Sequence, residues 1–302
     1  MSETPGIYVE ILIKSDLDRV WQLTQQPDLH EKWDLRFTHI QYLPKADAAE
    51  PQRFLYQTRI GFGLAIAGTG ESVADRSGAQ GDITSSLKFA SDDTKSLISK
   101  GAGYWKYVPT GDGLRFFTWY DYETRWGFLG RLVDRIAFRP MIGWATAWSF
   151  DRVRLWAEDE QTPDASMNFF LIHALARVVI AFIWIWHGLI PKLLFRHIDE
   201  LRMLSQAGLA SSFLPWIGAG EILIGLLILC TWRVRSVLLA NAAAMVVVTL
   251  VVAAQSPSYL KAAFNPVTLN LAVFALATMG WLAAHRLPSA RHCLRINPKG
   301  SA

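Results

Sequence analysis

The sequence holds only two cysteines in 302 residues, Cys230 and Cys293. They form no C-x-x-C pair and no zinc-type spacing, which excludes a disulfide framework and thiolate metal chemistry from the expectations. No leader is visible: "MSETPGIYVE" has neither a basic nor an apolar region, so the first domain is expected to stay in the cytosol. Catalytic signatures are also missing. His30, His39, His173, His187, His197, His285 and His292 make no H-E-x-x-H or other close ligand pair. There is no G-x-S-x-G, no P-loop and no G-x-G-x-x-G behind a strand, since "GTGESVADRSG" lacks the spacing. No catalytic residue, metal, cofactor or nucleic-acid partner is therefore expected. Enzymatic activity and oligomeric state stay open.

Acidic residues are scarce in one half of the chain. Residues 1–165 carry 19 Lys+Arg and 23 Asp+Glu, but residues 166–302 carry 11 and 3. The whole chain is 51% hydrophobic. A charge-rich half followed by an apolar, basic half reads as a soluble domain fused to a membrane domain.

Four mainly apolar windows stand out in the second half, at 169–190, 213–232, 235–255 and 265–285. A helix needs about 20 residues to cross a hydrocarbon core of about 30 Å, so all four are expected to span. The arginines and lysines orient them. Arg152, Arg154, Arg233, Arg235, Arg286, Arg291, Arg295 and Lys299 fall on one side, and Lys192, Arg196, Arg202 and Lys261 on the other. The richer side is expected to be cytoplasmic, which places both termini inside a multi-pass protein of the inner (plasma) membrane.

Several residues in these windows are expensive in lipid. Asn241 and Asn270 read as interhelical hydrogen-bonding groups. Arg177, near His173, snorkels or binds, and Glu221 is flanked by Gly218, Gly220 and Gly225, which allow close helix approach. The first window ends in "WHGLIPKLLF". There Gly188 and Pro191 are expected to stop the helix, Trp184 and Trp186 to form an aromatic belt, and Lys192 to reach lipid phosphates. His187, Lys192 and Glu221 are expected to share a polar pocket open to the outside, with Arg177 a further binding candidate. The H-G-L-x-P-K run, "GAGE" in the next window and "NP" opening the fourth resemble the DoxX-like family over about 168–290. That resemblance implies a four-helix membrane domain, with a quinone-linked oxidoreductase subunit as one role.

The first half alternates like a sheet. "IYVEILI" at 7–13 is a strand signal, Ser15 or Asp16 caps a helix through Trp21, and strand-like runs follow near 37–43, 54–62, 64–76, 81–90, 96–108 and 113–126. A helical stripe closes the half at 130–158, where Pro140 must kink the helix or start a second one. This order resembles the SRPBCC (START-like, polyketide cyclase) superfamily over about 5–158. The resemblance implies an α+β helix-grip fold, an antiparallel sheet around a long C-terminal helix, with an apolar cavity between them.

In the strand at 113–126, Thr118, Tyr120, Tyr122 and Trp126 share one apolar face. With Trp144 and Trp148 of the closing helix they are the expected ligand-binding residues for a lipid-like or isoprenoid molecule. The expected domains are 1–160, a linker at 161–168, a membrane domain at 169–290 and a cytoplasmic tail at 291–302. The leading functional expectation is a membrane-tethered binding protein whose partners are the bilayer and an apolar small molecule. The alternatives are an oxidoreductase subunit and a ligand-free scaffold.

Overall fold

The computed structural model describes residues 6–47, 50–61, 63–78, 81–263 and 265–297; Lys299 lies outside them. The chain forms two compact units, Met1–Ser166 with Pro288–Ala302, and Met167–Leu287.

Seven antiparallel strands build the first unit. They are β1 (Ile7–Ile13), β2 (His39–Tyr42), β3 (Arg53–Gly61), β4 (Leu64–Ser77), β5 (Ile83–Ala90), β6 (Ile98–Thr110) and β7 (Gly113–Thr124). Their order in the sheet is β1-β7-β6-β5-β4-β3-β2. Two short helices, α1 (Leu17–Gln25) and α2 (Pro27–Trp33), join β1 to β2. Of the two expected caps, Asp16 makes the bond, accepting the Arg19 N–H at 2.7 Å.

Alternation decides the faces. Ile7, Val9, Ile11 and Ile13 of β1 pair with Tyr120, Thr118, Phe116 and Leu114 of β7, and all eight are buried. The long helix α4 (Arg139–Asp159) lies on that face. Its Phe150 stacks on Phe116 at 4.5 Å, and Trp33 meets Phe150 at 6.1 Å. Each such buried ring contributes roughly 1.5–3 kcal/mol of hydrophobic stabilisation. A sheet gripping one long helix is the architecture expected from the sequence.

The closing helix is divided as expected, with Pro140 opening its second α-helical segment. α3 (Gly127–Val133) passes through a π-turn, Asp134–Phe138, into α4. Pro140 sits in the first turn of α4, where its missing N–H costs little. The interruption therefore falls before the proline, at Asp134.

Two boundaries also move. The expected linker at 161–168 is folded: Arg152 donates to the Pro163 carbonyl at 2.9 Å, and Gln161 bonds Ser166 at 2.9 Å. The expected cytoplasmic tail at 291–302 begins as part of the first unit. Glu10 and Leu294 exchange both backbone hydrogen bonds at 2.9 Å, and Asp151 accepts from Ser289 N at 2.7 Å and pairs with His292 at 2.8 Å. Buried Arg152, bonded to the Trp33 and Lys32 carbonyls, is likewise no loop charge.

The second unit is helical. Four of its segments are long and apolar enough to cross a membrane: Pro163–Leu194, Ser211–Cys230, Ser236–Gln255 and Pro266–His292, the outermost two running into the first unit's residues at their ends. The helices within these are α5 (Pro163–His187), α7 (Leu214–Cys230), α8 (Ser236–Gln255) and α9 (Pro266–Ala283), with a short α6 (Ile198–Gln206) after α5. Ile180, Ile228, Leu238, Met245 and Val273 pack its core. The asparagines act as expected. Trp184 Nε1 donates to Asn241 at 2.7 Å, and Asn270 donates to Thr249 at 3.1 Å, each between helices.

Candidate functional site

Half of the concave face is closed and half is open. In the closed half Asp34, fully buried, takes a bidentate pair of bonds from Arg36, Nε at 2.9 Å and Nη2 at 2.6 Å, and a contact from His30 at 3.1 Å. Burial alone would raise the Asp34 carboxyl, but the Arg36 guanidinium and His30 hold it well below the usual range. Arg36 lies over the Tyr120 ring at 5.4 Å, and the Tyr120 hydroxyl pairs with Thr146 at 2.8 Å. Thr118 donates to the Tyr104 carbonyl at 3.0 Å. Trp148 is buried beneath the Arg152 guanidinium, 5.0 Å from its ring.

The open half is a cleft of about 2130 Å³. Its floor is one register row across five strands: Phe54 faces Gly70, Gly70 faces Phe89, Phe89 faces Gly101, and Gly101 faces Tyr122. The glycines are needed there. A Cβ on Gly70 would lie 2.1 Å from the Phe54 ring, and one on Gly101 2.4 Å from the Phe89 ring. The half-buried rings therefore lie flat across their neighbours' backbone, an aromatic cover over strand glycines.

Tyr122 closes the floor and begins the wall. Its hydroxyl donates to Asp134 at 2.7 Å. Asp134 also accepts from Arg139 Nε at 2.8 Å, and Arg139 reaches Asp121 at 3.1 Å while covering the Tyr122 ring at 4.5 Å. Asp134 and Arg139 are five residues apart, a spacing that the i→i+5 turn of the π segment brings onto one face. Burial and then the bond to Asp134 push the Tyr122 phenol well above its ordinary value. Arg131 and Arg135 stand at the rim, exposed, beside Phe128 and Leu132.

Of the six residues expected to bind ligand here, the cleft takes in Tyr122. Thr118, Tyr120 and Trp148 belong to the closed half. Trp126 is exposed at a positive φ of 61°, and Trp144, 44% exposed, stacks on Trp148. Alternation identified the buried face but not which part of it α4 covers. Asp134 and Arg139 escaped notice, although Asp134 is the one carboxylate between residues 127 and 150.

In the second unit the structure joins Lys192 and Glu221. Lys192 Nζ is 3.0 Å from Glu221 Oε2, an ion pair off the line of a hydrogen bond. It donates to Glu200 on α6 at 3.1 Å. Lys192 is buried and turns inward, away from the expected lipid phosphates. The helix does not stop at Gly188 either, but continues as a π segment, Gly188–Leu194, with Pro191 inside it. Pro191 has no N–H for the His187 carbonyl four residues back, and Lys192 Nζ lies 3.4 Å from that oxygen. His187 contributes this carbonyl to the cluster. Gly188 and Gly218 bring the chains together, since a Cβ on either would lie within 2.7 Å of the other's carbonyl oxygen. The signal for Glu200 was in the composition: beyond residue 165 the only acids are Asp199, Glu200 and Glu221, and two of these three meet one lysine.

Arg177, fully buried, stands apart from that cluster. It donates Nε to His173 Nε2 at 2.9 Å, Nη1 to the Ile228 carbonyl and Nη2 to the Val234 carbonyl at 3.0 Å. It satisfies carbonyls at the end of α7, a stitching role rather than a snorkelling one. His173 Nδ1 then donates to the Gly280 carbonyl at 2.9 Å.

Residues 181–278 match the family described as DoxX-like. The uncharacterized membrane protein YndG of Bacillus subtilis (strain 168) is 48% identical over 183 residues, 60% of this chain and 68% of its own length. Solved structures match the first unit at lower similarity. A hypothetical protein from Helicobacter pylori superposes with a TM-score of 0.40 at 15% identity, over 52% of this chain and 90% of its own. A protein from Thermus thermophilus gives 0.38 at 15% identity, over 51% and 99%. A STAR-related lipid transfer protein fragment from Xanthomonas axonopodis gives 0.33 at 16% identity, over 44% and 87%.

Proposed function

This chain belongs to the family of Bacillus subtilis YndG and carries a DoxX-like membrane domain, and from that premise we propose that it is a membrane-tethered binding protein whose first unit holds an amphipathic, lipid-like molecule. The observation that carries the reading is the cleft floor. Phe54 and Phe89 lie over Gly70 and Gly101, and these half-buried rings line the cleft beside Tyr122. The Tyr122–Asp134–Arg139 wall supplies fixed polar groups at one end, which suits a molecule with an apolar body and a polar head. A cleft of about 2130 Å³ exceeds the roughly 300–1000 Å³ of drug-sized sites and accommodates a long chain.

The termini are proposed to be cytoplasmic in the plasma membrane. Support comes from the chain path: the four-span unit is entered from Ser166 and left at Pro288, and both belong to the first unit. An even number of crossings follows. With Cys230 replaced by alanine, Ser211→Cys should react with an impermeant maleimide from outside and Arg235→Cys from inside. Reaction of both from one side overturns the topology.

Mass spectrometry of molecules released from gently purified full-length protein tests the binding role. A defined lipid or isoprenoid, stoichiometric with the chain, is the expected result. A quinone would favour an oxidoreductase subunit. Repeated absence of any ligand would favour a scaffold and end the binding proposal.

A further inference from the structure

The segment from Trp126 to Ile136 has its polarity inverted. Asp134 and Gly130 point inward and are buried, while Phe128, Leu129, Leu132, Val133 and Ile136 point out. The outward set recurs at spacings of four, 128–132–136 and 129–133, and so forms a continuous arc along α3 and its π-turn. Phe128 is 74% exposed, Ile136 69% and Leu129 62%. An apolar arc of this kind on a folded surface marks an interaction site.

What covers it is set by its border. Arg131 and Arg135, one turn apart, lie along the edge of the arc, both exposed. Among the described residues no carboxylate pairs with either. Trp126 stands at the start of the segment, 52% exposed. Aromatic and aliphatic side chains flanked by unpaired arginines are the composition of a helix that lies in a membrane interface, with its apolar face roughly 5–10 Å into the headgroup–acyl boundary. Each arginine near an anionic leaflet adds attraction that salt screens. Four helices of the same chain are long and apolar enough to cross a bilayer, which holds that surface at high effective concentration.

We infer that α3 and its π-turn form an interfacial helix that docks the first unit onto the anionic leaflet of the bilayer. The docking stands whether or not the cleft is filled, and so goes beyond ligand binding. Because Phe128, Arg131, Leu132 and Arg135 also border the cleft, docking turns the mouth of the cleft toward lipid.

Spin labels on the full-length protein in nanodiscs test this. Leu129→Cys and Ile136→Cys are labelled in a Cys230→Ala background, with Gln41→Cys, an exposed site on β2, as the aqueous reference. Power saturation with oxygen and with a nickel chelate reads depth. In discs of phosphatidylcholine with one-quarter phosphatidylglycerol, labels at 129 and 136 should be oxygen-rich and nickel-poor, with 41 the reverse. Adding Arg131→Glu and Arg135→Glu should abolish immersion at low salt in those discs. Nickel access at 129 and 136 equal to that at 41 overturns the docking. So does exclusion of both reagents with spin–spin broadening, which marks a second copy of the chain as the occupant. The reference label's mobility in every variant shows that the unit remains folded.

Discussion

Lys192 and Glu221 stand 3.0 Å apart where Gly188 and Gly218 bring their helices together, and Glu200 holds the same ammonium from the other side at 3.1 Å. One cation thus serves two carboxylates. Lys192→Met leaves both acids unpaired in a mostly buried place and should cost about 3–5 kcal/mol, the usual result of breaking a buried pair. Glu221→Gln or Glu200→Gln leaves Lys192 one partner and should cost on the order of 1 kcal/mol. The double Gln variant strands the lysine and should approach Lys192→Met. Thermal unfolding of the full chain in detergent reads the order, and equal losses in all four variants would dismiss Lys192 as the hub.

Acid should weaken the first unit through Asp34. Its carboxyl is held below the ordinary value in the folded state, so its contribution is complete above the unfolded value of about 3.9. That contribution fades as pH falls below about 4. Asp34→Asn leaves the half-buried Arg36 without its bidentate acceptor and should cost about 3 kcal/mol at neutral pH. The variant should also lose part of the acid limb. An unfolding midpoint that falls as steeply below pH 4 in the variant as in wild type would assign that limb elsewhere.

The strand runs, the closing helix and the four apolar segments were legible because period-two alternation and long apolar windows are local signals. The pairing of Ile7 to Ile13 with β7 was not legible, since a buried face fixes which residues point inward but not which strand they meet. The sites were less legible because they depend on what packs over a face. Tyr120 and Tyr122 are identical in pattern, two residues apart on one strand. Thr146 and Arg36 close over the first, and the π-turn at Asp134 leaves the second at the cleft. No one-dimensional pattern announces a π-turn. The same geometry at Gly188–Leu194 replaced an expected helix stop and turned Lys192 inward.

Cys293 should report on the docking of the C-terminal segment. Its thiol is buried, donates to the Ala147 carbonyl at 3.2 Å, and is pushed well above its ordinary pKa, first by burial and then by Asp151. It should resist maleimide in the folded protein at pH 8, while Cys230 is removed as alanine. Asp151 anchors the segment through Ser289 and His292 and also holds Arg154 at 2.7 Å. Asp151→Ala should speed Cys293 labelling by tenfold or more, the effect of about 1.4 kcal/mol on a local opening. Unchanged labelling would show that the Glu10–Leu294 bonds alone hold the segment.

The cleft and the packed core make opposite predictions for two phenylalanines on the same sheet face. Phe116 is fully buried and stacked on Phe150, so Phe116→Ala should cost about 3–5 kcal/mol of stability. Phe89 is half-buried over Gly101 with its other face on the cleft, so Phe89→Ala creates no closed cavity and should cost on the order of 1 kcal/mol. If the floor binds a ligand, the same change removes a ring face from it, and retained ligand should fall about tenfold or more, the equivalent of about 1.4 kcal/mol. Asp134→Asn should act in the same sense: the amide turns a donor toward Arg139 or withdraws the acceptor from Tyr122, and the polar wall loosens. Stability comes from thermal unfolding, and ligand content from mass spectrometry of the same preparations. A floor that binds gives Phe89→Ala a small stability loss with a large ligand loss. A filled, ligand-free scaffold gives losses in stability at both positions and no ligand signal to lose at either.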